Sequence, residues 1–187
     1  MKKKVWIPLI ILVIIIIASS ILYKKYQDSI DIASINQEHE VQKSASVSNI
    51  NHPALNFSFT NEDDESFMLA DFIGKPIVLN FWASWCPPCR NEMPIFQKAY
   101  DEYPEVTFLL INQTASPRES MSKALAFMKD HDLTMPIYFD RIQSAGSIYQ
   151  LTALPQTYFI DAEGEIIARI AGETTEELFK ANLEKIL

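Results

Sequence analysis

Asn80-Phe81-Trp82-Ala83-Ser84-Trp85-Cys86-Pro87-Pro88-Cys89-Arg90 is the stretch on which the reading of this chain turns. An apolar run, residues 77–82, leads into it, and a helical pattern containing Pro94 leads out. Cys86 and Cys89 are the only cysteines in 187 residues. Two sulfurs three positions apart close a very small loop, which constrains little of the unfolded chain and makes a poor staple. The same spacing suits a redox pair, because both sulfurs can reach one substrate sulfur in turn. The competing reading, half of a zinc site, needs two further ligands. Only His39, His52 and His131 are on offer as histidines, none at ligand spacing. Neither a metal nor a cofactor is expected.

Thiolate, not thiol, attacks a disulfide. Cys86 falls at the end of a strand and at the N-cap of the next helix, where orphan N–H groups and the helix dipole favour negative charge. Pro87 suits the first helical position. With Pro87 and Pro88 adjacent, the first backbone donor open to the Cys86 sulfur is the N–H of Cys89, so its activation is expected to be moderate. Cys89, one turn in, is expected to be less exposed and to act second.

Working outward, residues 57–60 and 66–69, around the acidic turn 61–65, read as a β-hairpin. Residues 77–82 form a near-continuous apolar strand suited to a sheet centre covered on both faces. Met93, Phe96, Tyr100 and Tyr103 mark one face of the helix after the cysteines, with Pro94 expected to kink it. Residues 106–111 are a second buried strand. Ser116-Pro117-Arg118-Glu119 reads as a capping box opening a helix with Met121, Leu125 and Met128 on one side. Residues 136–139 suit a short strand and 145–151 a short helix. Strands 156–160 and 165–170 flank the turn Asp161-Ala162-Glu163-Gly164. Thr174-Thr175-Glu176-Glu177 opens a helix with Phe179, Leu183, Ile186 and Leu187 on one face. This order predicts an α/β domain, a central mixed β-sheet flanked by helices, extended at its N-terminal side by the β-hairpin.

Residues 1–4 carry three lysines, and residues 5–22 are almost wholly apolar. As a helix that run spans about 27 Å, near the thickness of a hydrocarbon core. It is expected to be a single N-terminal transmembrane helix, with 1–4 cytoplasmic by lysine count. Ala18-Ser19-Ser20 offers a weak cleavage site, but Ile21 and Leu22 continue the run past it, which favours a retained anchor over a cleaved signal peptide. Residues 23–52 read as a linker and 53–187 as the folded domain, held on the extracytoplasmic side, where disulfides persist. The net charge of −8 leaves no basic stripe for phosphates, so nucleic acid is not expected as a partner.

Taken together, residues 78–89 with Glu92, Pro94 and Leu154-Pro155-Gln156-Thr157-Tyr158-Phe159-Ile160-Asp161 resemble the thioredoxin fold, and within it the membrane-anchored TlpA/ResA-like branch. The resemblance implies that Cys86 is the exposed nucleophile and Cys89 the resolving cysteine. It implies that Pro155 is a cis-proline facing them, with Leu154 pairing to substrate backbone. Trp85 is expected to shield the disulfide, and Trp85, Leu154 and Pro155 to make up the substrate-binding residues. Cytosolic thioredoxins carry a buried Asp where this chain has Asn80. In the resembling branch a Glu three residues after the second cysteine lies near the site, which gives Glu92 the part of proton acceptor and donor. The alternative for Glu92 is a first-turn acid that merely favours the helix dipole.

The expected activity is a protein disulfide reductase, monomeric, fed by a membrane thiol-disulfide electron donor. Its substrates would be disulfide-containing exported proteins, such as apocytochrome c or sporulation proteins. The competing readings are an oxidase that installs disulfides and a membrane-tethered binding or chaperone module with a static disulfide. Pro87-Pro88 lacks the histidine often found between the cysteines of strong oxidants. The peroxiredoxin pattern needs Thr or Ser three residues before the reactive cysteine, where Ala83 stands.

Overall fold

The computed structural model describes residues 17–20 and 46–187. Residues 17–20 are helical and exposed. The rest of the expected anchor, and the linker up to residue 45, lie outside the described residues. Among the described residues no helix is long and apolar enough to cross a membrane.

The second of two compact units, Lys43–Leu187, carries one eight-stranded sheet. Its strands are β1 (Ser46–Pro53), β2 (Ser58–Thr60), β3 (Ser66–Met68), β4 (Ile77–Trp82), β5 (Thr107–Asn112), β6 (Ile137–Phe139), β7 (Gln156–Ile160) and β8 (Glu165–Ala171). They lie side by side in the order β1-β8-β7-β4-β5-β6-β2-β3. The three strands β4, β5 and β6 are parallel, and every other pairing is antiparallel. The helices are α1 (Pro87–Glu102), α2 (Met121–Asp130), α3 (Ser144–Ile148) and α4 (Glu176–Leu183). The expected mixed sheet is present, and so is the hairpin, whose β2 joins the sheet beside β6.

All six residues of β4 are buried, and their alternation divides the core in two. Val78 and Trp82 pack on the face covered by α1, α2 and α4, with Met93, Phe96, Phe127, Phe179 and Leu183. Ile77, Leu79 and Phe81 pack on the other face with Phe57, Phe59, Tyr158 and Ala145 of α3. Asn80 shares the first face by the same alternation, and the sequence of β4 places this one amide beneath α1.

Three expectations are corrected. Residues 46–52, read as the end of the linker, belong to β1, which pairs antiparallel with β8. Only Ile50 of that strand is half-buried, so it joins the sheet through backbone bonds and shows no apolar period. The second helix starts four residues later than its capping box implies. Its N-cap is Ser120, whose hydroxyl accepts the N–H of Lys123 at 3.3 Å, because the carboxylate of Glu119 is turned elsewhere. The last helix closes at Leu183, and of the two apolar residues beyond it Ile186 is buried while Leu187 is 56% exposed.

Candidate active site

The end of β4 and the start of α1 set the two cysteines. Cys86 is the N-cap of α1, in extended conformation, and Pro87 and Pro88 open the helix. The pair is joined as a disulfide with its Cα atoms 5.3 Å apart. The N–H of Cys89 reaches the Cys86 sulfur at 3.3 Å, the backbone donor anticipated from the double proline. Cys89 is wholly buried, and Cys86 is only 3% exposed, so in the oxidised state the expected exposed nucleophile is covered. Both cysteines belong to the apolar cluster against which Trp85 and Leu154 pack.

Glu92 lies one turn beyond Cys89, on the same side of α1 by its i,i+3 spacing. It is wholly buried. Burial pushes its carboxyl up from the ordinary 4.5 to about 8, against the opposing pull of the Thr174 N–H and the Asn80 amide, with the charge of Glu173 adding to the rise. Asn80 Nδ2 donates to Glu92 Oε1 at 3.0 Å and also to Thr157 Oγ1 at 3.0 Å. The second contact follows from register, since Asn80 and Thr157 face each other across β4 and β7. Thr174 N–H donates to the other oxygen, Oε2, at 3.2 Å. Asn80 Oδ1 has no hydrogen-bond partner among the described residues. Turned over, the same amide can accept from a protonated Glu92, so Asn80 can serve both states of the acid.

The Leu154–Pro155 peptide is cis. The carbonyl of Pro155 accepts the N–H of Gly172 at 3.0 Å. Gly172 has a φ of 98°, a left-handed conformation that a side chain disfavours, and the chain reverses there toward Thr174. The loop between β8 and α4 therefore holds Pro155 at one point and Glu92 at another. Leu154 is half-buried and packs against both apolar clusters.

Sequence reasoning missed Glu119 as a neighbour of the site. Only 7% exposed, it accepts Ser84 N–H at 2.5 Å, Ser84 Oγ at 3.0 Å, Ser120 N–H at 2.9 Å and Asn112 Nδ2 at 3.4 Å. All four partners are donors, the set a carboxylate accepts. Glu119 thereby fixes the turn that precedes Trp85 and Cys86. The guanidinium of Arg118 lies over the Trp85 ring, 3.5 Å from its centroid. Serine followed three residues later by glutamate was the visible signal, and it points to a helix cap as readily as to this clasp. Among the described residues no group of three or more His, Cys, Asp or Glu side chains could hold a metal ion.

A dithiol pair beside a buried acid whose pKa lies close to that of a thiol can exchange protons as well as electrons. The comparisons with known proteins agree with such chemistry. Residues 50–169 match the AhpC/TSA family. The thiol-disulfide oxidoreductase ResA of Bacillus cereus is 34% identical over 137 residues, 73% of this chain and 78% of that protein. The thioredoxin-like protein YneN of Bacillus subtilis (strain 168) is 34% identical over 131 residues, 70% of this chain and 76% of that one. The crystal structure of StoA from Bacillus subtilis is similar at a TM-score of 0.59 and 30% identity, covering 70% of this chain and 97% of that one.

Proposed function

This chain belongs to the AhpC/TSA family and is a thiol-disulfide oxidoreductase of thioredoxin fold, and from that premise we propose that it works as an extracytoplasmic reductase of disulfides in exported proteins. The observation that carries the direction is the single backbone N–H at the Cys86 sulfur. A strong oxidant needs a heavily stabilised thiolate in its reduced form. Here Pro87 and Pro88 withhold two donors, so the thiolate is stabilised modestly and the pair gives up electrons more readily.

In the proposed cycle the Cys86 thiolate attacks one sulfur of the substrate disulfide, forming a mixed disulfide and releasing the first substrate thiolate, which takes a proton from solvent. Cys89 passes its proton to ionised Glu92 and attacks the Cys86 sulfur. The second substrate sulfur leaves and is protonated, and the Cys86–Cys89 disulfide remains. Two electrons pass from the dithiol to the substrate. A membrane thiol-disulfide donor then restores the dithiol, and Glu92, protonated in the oxidised state, returns its proton to Cys89. Trp85, Leu154 and Pro155 would seat the substrate strand beside Cys86. The apolar run at residues 5–22 supports a membrane-anchored domain acting as a monomer outside the cytoplasm, and apocytochrome c and sporulation proteins suit it as substrates. Ala83, in place of Thr or Ser, weighs against peroxide as substrate.

Trapping tests this reading. A Cys89→Ala chain should accumulate mixed disulfides between Cys86 and exported proteins. A module with a static disulfide would trap none.

A further inference from the structure

The turn that carries the cysteines is gripped from the side by the residues leading into α2. Glu119 holds both hydrogen-bond donors of Ser84, the backbone N–H and the hydroxyl. Arg118, one residue earlier, is exposed, and its guanidinium sits on the ring of Trp85, the immediate neighbour of Cys86. Stacking of this kind fixes the plane of the guanidinium and leaves its N–H edge open to a planar acceptor. The ion pairs formed among the described residues do not include Arg118, although acidic residues outnumber basic ones by 24 to 16. Lys123 adds a second cation nearby, its ammonium donating to the Arg118 carbonyl at 3.0 Å.

We propose that Arg118, seated on Trp85 by the Glu119 clasp, is a specificity-determining residue that favours substrates carrying Asp or Glu beside the cysteine presented to Cys86. The inference rests on the reductase reading above and names the substrate class for the same site. A carboxylate next to the scissile disulfide meets a pre-placed fork of N–H donors, so little side-chain entropy is lost in forming the pair. An exposed pair of this kind is a small effect, about two- to fivefold in rate, and it is weakened by salt.

The test uses the full chain, reduced, with three short peptides closed by one disulfide and carrying Glu, Gln or Lys beside the same cysteine. Second-order rate constants are measured in single turnover at low and at physiological ionic strength. The expected order is Glu faster than Gln faster than Lys, with the Glu-to-Lys ratio falling as salt is added. Ratios within each variant cancel any general change in reactivity. Arg118→Gln should bring the three rates together, and Arg118→Glu should reverse their order. Equal rates in the unsubstituted chain, or an unchanged order in Arg118→Gln, would overturn the proposal. Reduction of hydroxyethyl disulfide by the unsubstituted chain is measured alongside. Its failure overturns the reductase reading and the proposal together, whereas its success with equal peptide rates overturns the proposal alone.

Discussion

Asn80 and Glu92, both wholly buried, are joined by a 3.0 Å hydrogen bond from the amide Nδ2 to the carboxyl Oε1. The amide sits in the central strand and the acid in the helix above it, which places the titrating group of this site on α1 instead of β4. An unpaired buried carboxylate is costly, and two donors, from Asn80 and Thr174, do not offset the loss of water. The result is an acid at about 8, near the ordinary pKa of a thiol.

Substitution of that acid should slow the second half of the reaction. Glu92→Gln keeps the volume but removes the base, and positioned acid–base groups contribute on the order of a hundredfold. The rate of mixed-disulfide resolution, followed by stopped flow, should fall by about that much. The inflection near pH 8 should vanish from its pH profile. Attack by Cys86 on the substrate should change far less.

Stability of the oxidised protein should depend on pH through the same group. Its folded pKa, about 8, lies above the ordinary 4.5, so between those values the folded state binds more protons than the unfolded one. Stability is then greatest below about 4.5 and falls as pH rises toward 8, after which this contribution is flat. Thermal midpoints of the oxidised chain at pH 5, 7 and 9 should decline, and the decline should be shallower in Glu92→Gln.

Loss of the clasp should loosen the cysteine-bearing turn. Glu119→Ala leaves the Ser84 N–H and hydroxyl, the Ser120 N–H and the Asn112 amide without their acceptor. Leaving buried donors unmet costs about 1–3 kcal/mol, and the half-buried Ser84 keeps this within that range. A lower urea midpoint at constant slope would show it, and Glu119→Gln, which retains one acceptor oxygen, should lose less.

Packing of the last helix gives a sharper contrast. Phe179 is wholly buried, with its ring centroid 4.9 Å from that of Phe96 and 5.4 Å from that of Phe159. Phe179→Ala should cost about 3–5 kcal/mol in urea denaturation. Leu187→Ala, at an exposed position, should stay within about 0.5 kcal/mol.

Much of the fold and the site is legible in the residues themselves, for physical reasons that differ from one to the next. The strand Ile77–Trp82 is legible because it is buried on both faces and so is apolar at every position but Asn80, which stands out for the same reason. The position of Cys86 follows from Pro87, whose ring belongs at a helix start. The cis peptide before Pro155 comes only from the resemblance, since a Leu-Pro pair carries a small tendency to be cis. β1 is silent because an edge strand with exposed side chains needs no hydrophobic pattern. Glu119 misleads because a serine and a glutamate three apart can cap a helix, while here the carboxylate finds stronger partners across the fold at Ser84. Burial of Cys86 belongs to a cluster drawn from β4, α1, β5, α2, β7, β8 and α4, which no local pattern encodes.

The reduction potential of the Cys86–Cys89 pair tests the proposed direction most directly. Equilibrated against glutathione or dithiothreitol buffers, it should lie below about −200 mV, on the thioredoxin side of the known range. A value near about −120 mV, that of a strong disulfide-forming oxidant, would contradict the reductase account.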